Sequence, residues 1–170
     1  FDVNSNGQGG SVDLDRLVDT LPTVERALPI RELRRRFRYA GRTVDGRLVG
    51  WSHKVAAPSV MSRLMPQYVQ NGVDPDAVSG LSDIIYSIPN LLVNYVMVSL
   101  PVPVGFWRSV GYSVNVFAVE SFMDELAHAA GQDPVQFRLD HMEKGSRSYN
   151  LMALLAEKTD WGGPVPAGRA

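Results

Sequence analysis

The chain has 170 residues, 45% of them hydrophobic and 21% charged, with a net charge of −1. This is the composition of an ordinary globular domain with a core of its own, and it gives the whole surface no pull toward a polyanion. The absence of cysteine excludes disulfides, thiolate metal sites, iron–sulfur ligation and thiol catalysis.

The first twelve residues, FDVNSNGQGGSV, are rich in Gly, Asn and Ser and read as a flexible start. From Asp13 to Leu28 the spacing of Leu14, Leu17, Val18 and Leu21 predicts a short helix. Arg31 to Val60 reads as a β-hairpin turning at Asp45-Gly46, because both positions of such a turn need positive φ. On its second arm Val49, Trp51, His53 and Val55 alternate and predict one apolar face carrying a histidine. Pro58 to Gly80 is polar and punctuated by Pro and Gly, so loops and short turns are expected. Leu91 to Leu100 reads as a buried strand, and Pro101 and Pro103 then forbid a regular central one.

The last third predicts three helices. Phe117, Phe122, Met123, Leu126 and Ala130 form an apolar stripe closed by Gly131. Asp133 is placed as the next N-cap, with Pro134 at the first helical position, Gln136 at the capping-box position and Val135, Leu139 and Met142 facing inward. A third helix follows Ser146, with Leu151, Leu154 and Leu155 inside, and ends before Trp161-Gly162-Gly163-Pro164. The longest apolar region, Leu91 to Trp107, is broken by Asn94, Ser99, Pro101, Pro103 and Gly105, so no membrane span is expected. Charge is uneven: Arg31 to Arg63 carries nine Lys/Arg against two Asp/Glu, while Ser113 to Asp160 carries four against eight. Two faces of one domain, or a subunit interface, would have this look.

Most signatures of chemistry are missing. No phosphate-binding loop is present, and Gly7-Gln8-Gly9-Gly10 is too short for a dinucleotide fingerprint. His53, His128 and His141 have no metal-ligand spacing and read as surface or hydrogen-bonded core groups. Gly111-Tyr112-Ser113-Val114-Asn115 lacks the last glycine of a nucleophile elbow. The basic run Arg31 to Arg38 has one aromatic, Phe37, and reads as a solvated or interface face rather than a nucleic-acid patch. The segment from Pro101 to Ser113 stands apart. It places Arg108 in an apolar, aromatic stretch between Gly105 and Gly111, running into a helix. A helix N-terminus with a guanidinium beside it is suited to an anion or oxo ligand. The other reading is a core-flanking loop whose arginine pairs with Glu120 or Asp124. Spacing alone leaves the two even.

The stretch from Gly105-Phe-Trp-Arg-Ser-Val-Gly through Asp124-Glu-Leu-Ala to Asp133-Pro-Val-Gln-Phe-Arg138 resembles the central signature of the xanthine dehydrogenase/aldehyde oxidase family. Its Trp-Arg-Ser-Val-Gly form is most similar to the isoquinoline 1-oxidoreductase β-subunit branch. Gly72-Val-Asp-Pro-Asp-Ala-Val-Ser-Gly80, Tyr86-Ser-Ile-Pro-Asn90, the hairpin Val44 to Trp51 and the stretch Leu154 to Ala170 extend the resemblance over about residues 31–170. Residues 1–30 are left unmatched by it.

The resemblance implies an α+β fold, a twisted hairpin-based sheet packed against about three C-terminal helices, as part of a larger molybdopterin-binding domain. It implies oxidation of an N-heterocycle or aldehyde, with water as oxygen source, at a molybdenum–molybdopterin centre of the cytosine dinucleotide form. Electrons would leave through a partner iron–sulfur subunit. Arg108 is the implied catalytic residue, lending electrostatic support, and Trp107, Arg108, Ser109, Val110 and Gly111 are the implied cofactor-binding residues. Val110 stands where relatives often carry a Phe, so stacking is expected from Trp107 rather than from that position. The family's Gly-x-Gly-Glu base and its pterin-holding Gly-Gln-Gly segments have no counterpart in matching surroundings. The sequence therefore reads as a central fragment, without an initiating methionine, that is inactive alone and binds no cofactor by itself. It needs the rest of the molybdopterin-binding subunit, and neither nucleic acid nor membrane is expected as a partner. The competing reading is a truncated, non-catalytic interaction module.

Overall fold

The computed structural model describes residues 24–30 and 35–164, with side chains from residue 39 onward. A four-stranded sheet runs in the order β1-β2-β3-β4: β1 (Val24–Ile30), β2 (Arg35–Val44), β3 (Arg47–Ala57) and β4 (Leu91–Met97). β1 and β2, and then β2 and β3, pair antiparallel, while β4 returns parallel to β3. A parallel return cannot be made by a tight turn. The crossover carries α1 (Met61–Leu64), a single 3-10 turn at Pro66–Tyr68 and α2 (Pro75–Val78). Three helices follow: α3 (Tyr112–Ala129), α4 (Pro134–Asp140) and α5 (Arg147–Lys158).

The hairpin turn forms as its residues require, with φ of 50° at Asp45 and 75° at Gly46. Trp51, His53, Val55 and Ala57 are buried on one face of β3. Toward the turn the phase changes, because the ladder slips between Arg42 and Thr43. Leu48 is consequently buried where simple alternation would have buried Val49. α3 lies on this face. Phe122 meets Tyr39 with ring centroids 5.2 Å apart and Trp51 at 4.9 Å, and the core continues through Met123, Leu126 and Phe137.

Several expectations need correction. The helix expected from Asp13 to Leu28 does not extend through its last five residues. Val24–Ile30 is a strand, paired along its length with β2. Ladder bonds to a neighbour outweigh weak local helical spacing, and Pro29 is tolerated because β1 is an edge strand among the described residues. Positions 13–23 lie outside the described residues. Seven residues of the stretch left unmatched by the resemblance thus belong to the sheet.

Among the described residues Leu91–Met97 is an edge strand rather than a buried one. Only Val93 is buried along it, and Val96 and Met97 are exposed. Phe117 lies off the inner stripe of α3 and is 64% exposed. In α4 the inward residues are Phe137 and Arg138 rather than Val135 and Leu139. Gln136 donates to Asp140 instead of closing a capping box. On α5, Leu151, Leu154 and Leu155 are exposed, while Tyr149 and Met152 pack toward the core.

Candidate functional site

The turn that opens α3 is assembled from four directions. Arg63 Nη2 donates to the Val104 carbonyl at 2.8 Å, fixing the incoming strap. Val110 N–H bonds the Trp107 carbonyl and Tyr112 N–H the Ser109 carbonyl. Ser113 Oγ donates to the Arg108 carbonyl. Beneath the turn lies α2, capped by the buried carboxylate of Asp74. That group accepts from the N–H of Asp76 and Ala77 and from Ser59 Oγ at 2.6 Å.

Between these supports, Ser109 and Val110 adopt φ of 67° and 49°. Two consecutive non-glycine residues in the left-handed region, one of them β-branched, cost on the order of 1–3 kcal/mol each and persist only where the surroundings impose them. Gly111 has ordinary helical angles, so its backbone does not require glycine. Space does: a Cβ there would lie 2.1 Å from the Asp76 carbonyl oxygen. The close approach allowed by Gly111 is therefore to α2. At Gly105 no atom lies within 4 Å of where a Cβ would be.

The five residues singled out from the sequence divide accordingly. Trp107 is 77% exposed, Arg108 and Ser109 are exposed, Val110 is half-buried and Gly111 is buried. The alternative pairing of Arg108 with Glu120 or Asp124 is not what the molecule does. Arg138 holds both carboxylates, with Nε 2.9 Å from Glu120 Oε2 and Nη1 2.6 Å from Asp124 Oδ1. Among the described residues Arg108 makes no ion pair. No described residue accepts a hydrogen bond from the backbone N–H of Arg108, Ser109 or Gly111. Trp107 and Val110 line an apolar cleft of about 420 Å³, completed by Pro58, Val60, Phe106 and Val114. An outward guanidinium, unengaged N–H groups and a helix N-terminus beside an apolar cleft can receive an anionic or oxygen-rich group next to a planar organic one.

Other residues with possible chemistry have structural work. His141 donates from Nδ1 to the Phe137 carbonyl and accepts the Leu48 N–H at Nε2, 2.7 Å away, so it ties α4 to the hairpin. His53 is buried and accepts from Trp51 Nε1 at 2.6 Å. Burial pulls its pKa down to about 3, which keeps it neutral. The Ser113 hydroxyl is spent on the Arg108 carbonyl rather than on a base. Among the described residues no group of three His, Asp or Glu side chains could hold a metal, and no helix is long and apolar enough to cross a membrane. A second cleft of about 400 Å³, beside β4, has no charged residue on its wall. Sequence reasoning missed Asn115, whose one signal is a lone amide among the inward positions Val114, Ala118 and Val119 of α3.

The molybdopterin cofactor-binding domain family matches residues 16–142, a span that includes β1. The chain is 31% identical over 118 residues to the isoquinoline 1-oxidoreductase β-subunit of Brevundimonas diminuta, covering 69% of this chain and 15% of that protein. It is 32% identical over 127 residues to a subunit of the nicotinate dehydrogenase of Pseudomonas putida, covering 71% of this chain and 10% of that one. It therefore spans only a small part of the length of these curated relatives. Among solved structures, quinoline 2-oxidoreductase from Pseudomonas putida 86 superposes with a TM-score of 0.58 at 19% identity, over 74% of this chain and 18% of that one. Aldehyde oxidoreductase from Desulfovibrio gigas does so with 0.59 at 19% identity, over 74% and 15%. The structural matches carry the fold, and the sequence matches carry the kinship. This chain belongs to the molybdopterin cofactor-binding domain family, in keeping with the resemblance of its 105–138 signature to the xanthine dehydrogenase/aldehyde oxidase family.

Proposed function

We propose that residues 31–170, together with β1, form one wall of the cofactor pocket of a molybdenum hydroxylase, with the 107–111 turn facing the molybdenum centre. The observation that carries this reading is Arg108, an exposed arginine with no ion pair among the described residues, held on a strained turn at the start of an 18-residue helix. The residues fit the group. The pterin cofactor is anionic and oxygen-rich, and the turn offers a permanently charged fork of donors with backbone N–H groups beside it. When bound, the molybdenum–molybdopterin group supplies a two-electron oxidation with water as the source of oxygen.

The chain's own part is to hold and exclude. Arg108 fixes positive charge where negative charge gathers. Trp107 and Phe106 shield the site from water with exposed aromatic surface, 77% and 46% accessible. Val110 narrows the cleft without offering a stacking face. The substrate class is an N-heterocycle or an aldehyde. The cofactor form is the cytosine dinucleotide, and the electron acceptor is an iron–sulfur partner subunit. The segments carrying the base and the pterin loops come from the rest of the subunit, so the chain alone does not turn over.

Metal analysis and intact mass of the native material test this. Molybdenum with larger companion chains is the expected result. In that assembly Arg108→Ala should lower kcat/KM for isoquinoline, nicotinate or an aldehyde about 100-fold or more, the loss of one charge-stabilising donor group. Wild-type rates for Arg108→Ala on every substrate would overturn the role given to Arg108, and a molybdenum-free preparation would overturn the assignment itself. A non-catalytic interaction module is the second reading. The exposed Leu151, Leu154 and Leu155 of α5 favour it, and a single 18.7 kDa molybdenum-free species would establish it.

A further inference from the structure

We propose that Asn115 is the positioning residue for the Arg108 turn, an assignment that rests on the reading of that turn as the cofactor-facing one. Asn115 is fully buried on α3, four residues after Gly111 and bonded through its own N–H to the Gly111 carbonyl at 3.0 Å. Its side-chain amide donates to the carbonyls of Ala77 at 2.9 Å and Ser79 at 2.8 Å. Those two bonds hold the C-terminal end of α2 against the first turn of α3. The approach is close: a Cβ at Gly111 would meet the Asp76 oxygen at 2.1 Å and both Asn115 Nδ2 and the Ser79 oxygen at 3.2 Å.

The geometry works as a pair. Gly111 permits contact between α2 and the turn, and Asn115 enforces it. With the downstream end pinned there and the Arg108 carbonyl held by Ser113 Oγ, Ser109 and Val110 are left no room to relax out of their left-handed conformations. The direction in which Arg108 leaves the turn is thereby set by an amide that does not touch the cleft. Asp74 completes the support from below, since it caps α2 and ties it to Ser59, one residue from Pro58 and Val60 on the cleft wall.

Asn115→Asp keeps the volume and replaces two donors by a carboxylate facing carbonyl oxygens. The test uses the full chain labelled with fluorotryptophan. There are three tryptophans, and they report on three places: Trp107 on the turn, Trp51 in the core and Trp161 after α5. The expected result is that the Trp107 fluorine resonance shifts or splits by more than its own linewidth, while those of Trp51 and Trp161 stay within theirs. A general packing role for Asn115 predicts instead that Trp51 moves. A folded Asn115→Asp chain with the Trp107 resonance unmoved would overturn the proposal.

Asn115→Ser covers the case in which the carboxylate prevents folding. It retains one donor and should move Trp107 less than the aspartate does, again without moving Trp51, and an unmoved Trp107 there counts equally against the proposal. In the molybdenum-loaded assembly the same variants should lower kcat at least 10-fold with KM changed less than about threefold. The fluorine readout needs no cofactor. Its failure condemns the role of Asn115 alone, whereas missing molybdenum condemns the functional reading and leaves the positioning result standing.

Discussion

Acid should destabilise this fold through His53. The ring is 1% exposed, sits 5.3 Å from the Tyr39 ring by centroid, and has Nδ1 occupied by the Trp51 indole N–H. Nε2 is buried, with no hydrogen-bond partner among the described residues. With Nδ1 accepting, the neutral ring carries its hydrogen on Nε2, and a second proton could go only to Nδ1, displacing the Trp51 N–H and placing a charge in the core, so desolvation pulls the folded-state pKa from 6.5 down to about 3. In the unfolded chain the same ring titrates normally. The sign follows: above pH 6.5 both states are neutral and His53 contributes no pH dependence. Below it the unfolded state binds a proton that the folded state refuses, and stability falls as pH falls until about pH 3.

One differential proton is worth about 1.4 kcal/mol per pH unit, so the loss between about pH 7 and about pH 5 is about 2 kcal/mol. The assay is urea unfolding at a series of pH values on the full chain and on His53→Gln, which can still accept the Trp51 N–H but does not titrate. His128 and His141 are common to both proteins and cancel in the difference. The wild type should lose about 2 kcal/mol more than the variant over that interval. Parallel curves would refute the argument, because they would mean that the buried ring is protonated in the folded state.

Three further outcomes follow from the supports of the site. Arg138→Met takes the cation from Asp124 and from Glu120, which keeps only the Tyr86 hydroxyl on its carboxylate, and removes a donor to the Glu120 carbonyl, and it should cost about 3 kcal/mol in urea unfolding, at the lower end for breaking a buried pair because Asp124 is exposed. Gly111→Ala forces a Cβ into the Asp76 carbonyl and should cost about 3 kcal/mol by the same assay, the upper range of ordinary overpacking. Asp133→Ala removes the α4 cap and should cost about 1 kcal/mol. The Asp133 carboxyl is held below its ordinary pKa by the Trp161 indole N–H and then the Gln136 N–H. Its contribution is therefore present above about pH 4 and lost as pH falls below that, so the wild-type and Asp133→Ala stabilities should converge in acid.

What the sequence made legible were features written in a few neighbouring residues. Asp45-Gly46 announced the hairpin turn, Asp133-Pro134 the start of α4 and Ser146 the start of α5, because caps and turns are chemistry among adjacent atoms. Facing directions were less legible. Leu151, Leu154 and Leu155 have the spacing of a buried stripe and are exposed, since periodicity says that apolar side chains share a face but not what covers it. β1 was hidden for the opposite reason: its strand state depends on β2, several residues away, and its own sequence carries little alternation. At the candidate site, the sequence singles out Arg108 by its surroundings, and the structure leaves it exposed with no ion pair among the described residues. The identity of the arginine that pairs with Glu120 and Asp124 could not be read in this way, because it required knowing how α4 folds back on α3.

That pairing also explains why the long signature is so specific. Asp124 and Arg138 are bonded to each other, Asp133 caps the helix that presents Arg138, and Leu126 and Ala127 are core. Gly111 and Asn115 clasp α2. These positions between 111 and 138 therefore join three helices, whereas Phe106, Trp107 and Val110 line the cleft, with Val114 reaching it from α3. An enzyme family can vary what it binds by changing a few residues on such a turn, provided the clamp behind it is kept. Reading function from the whole signature would mistake the clamp for the chemistry. On the function proposed for this chain, the 107–111 turn carries the chemistry, and the contacts of Gly111, Ser113 and Asn115 hold that turn in place.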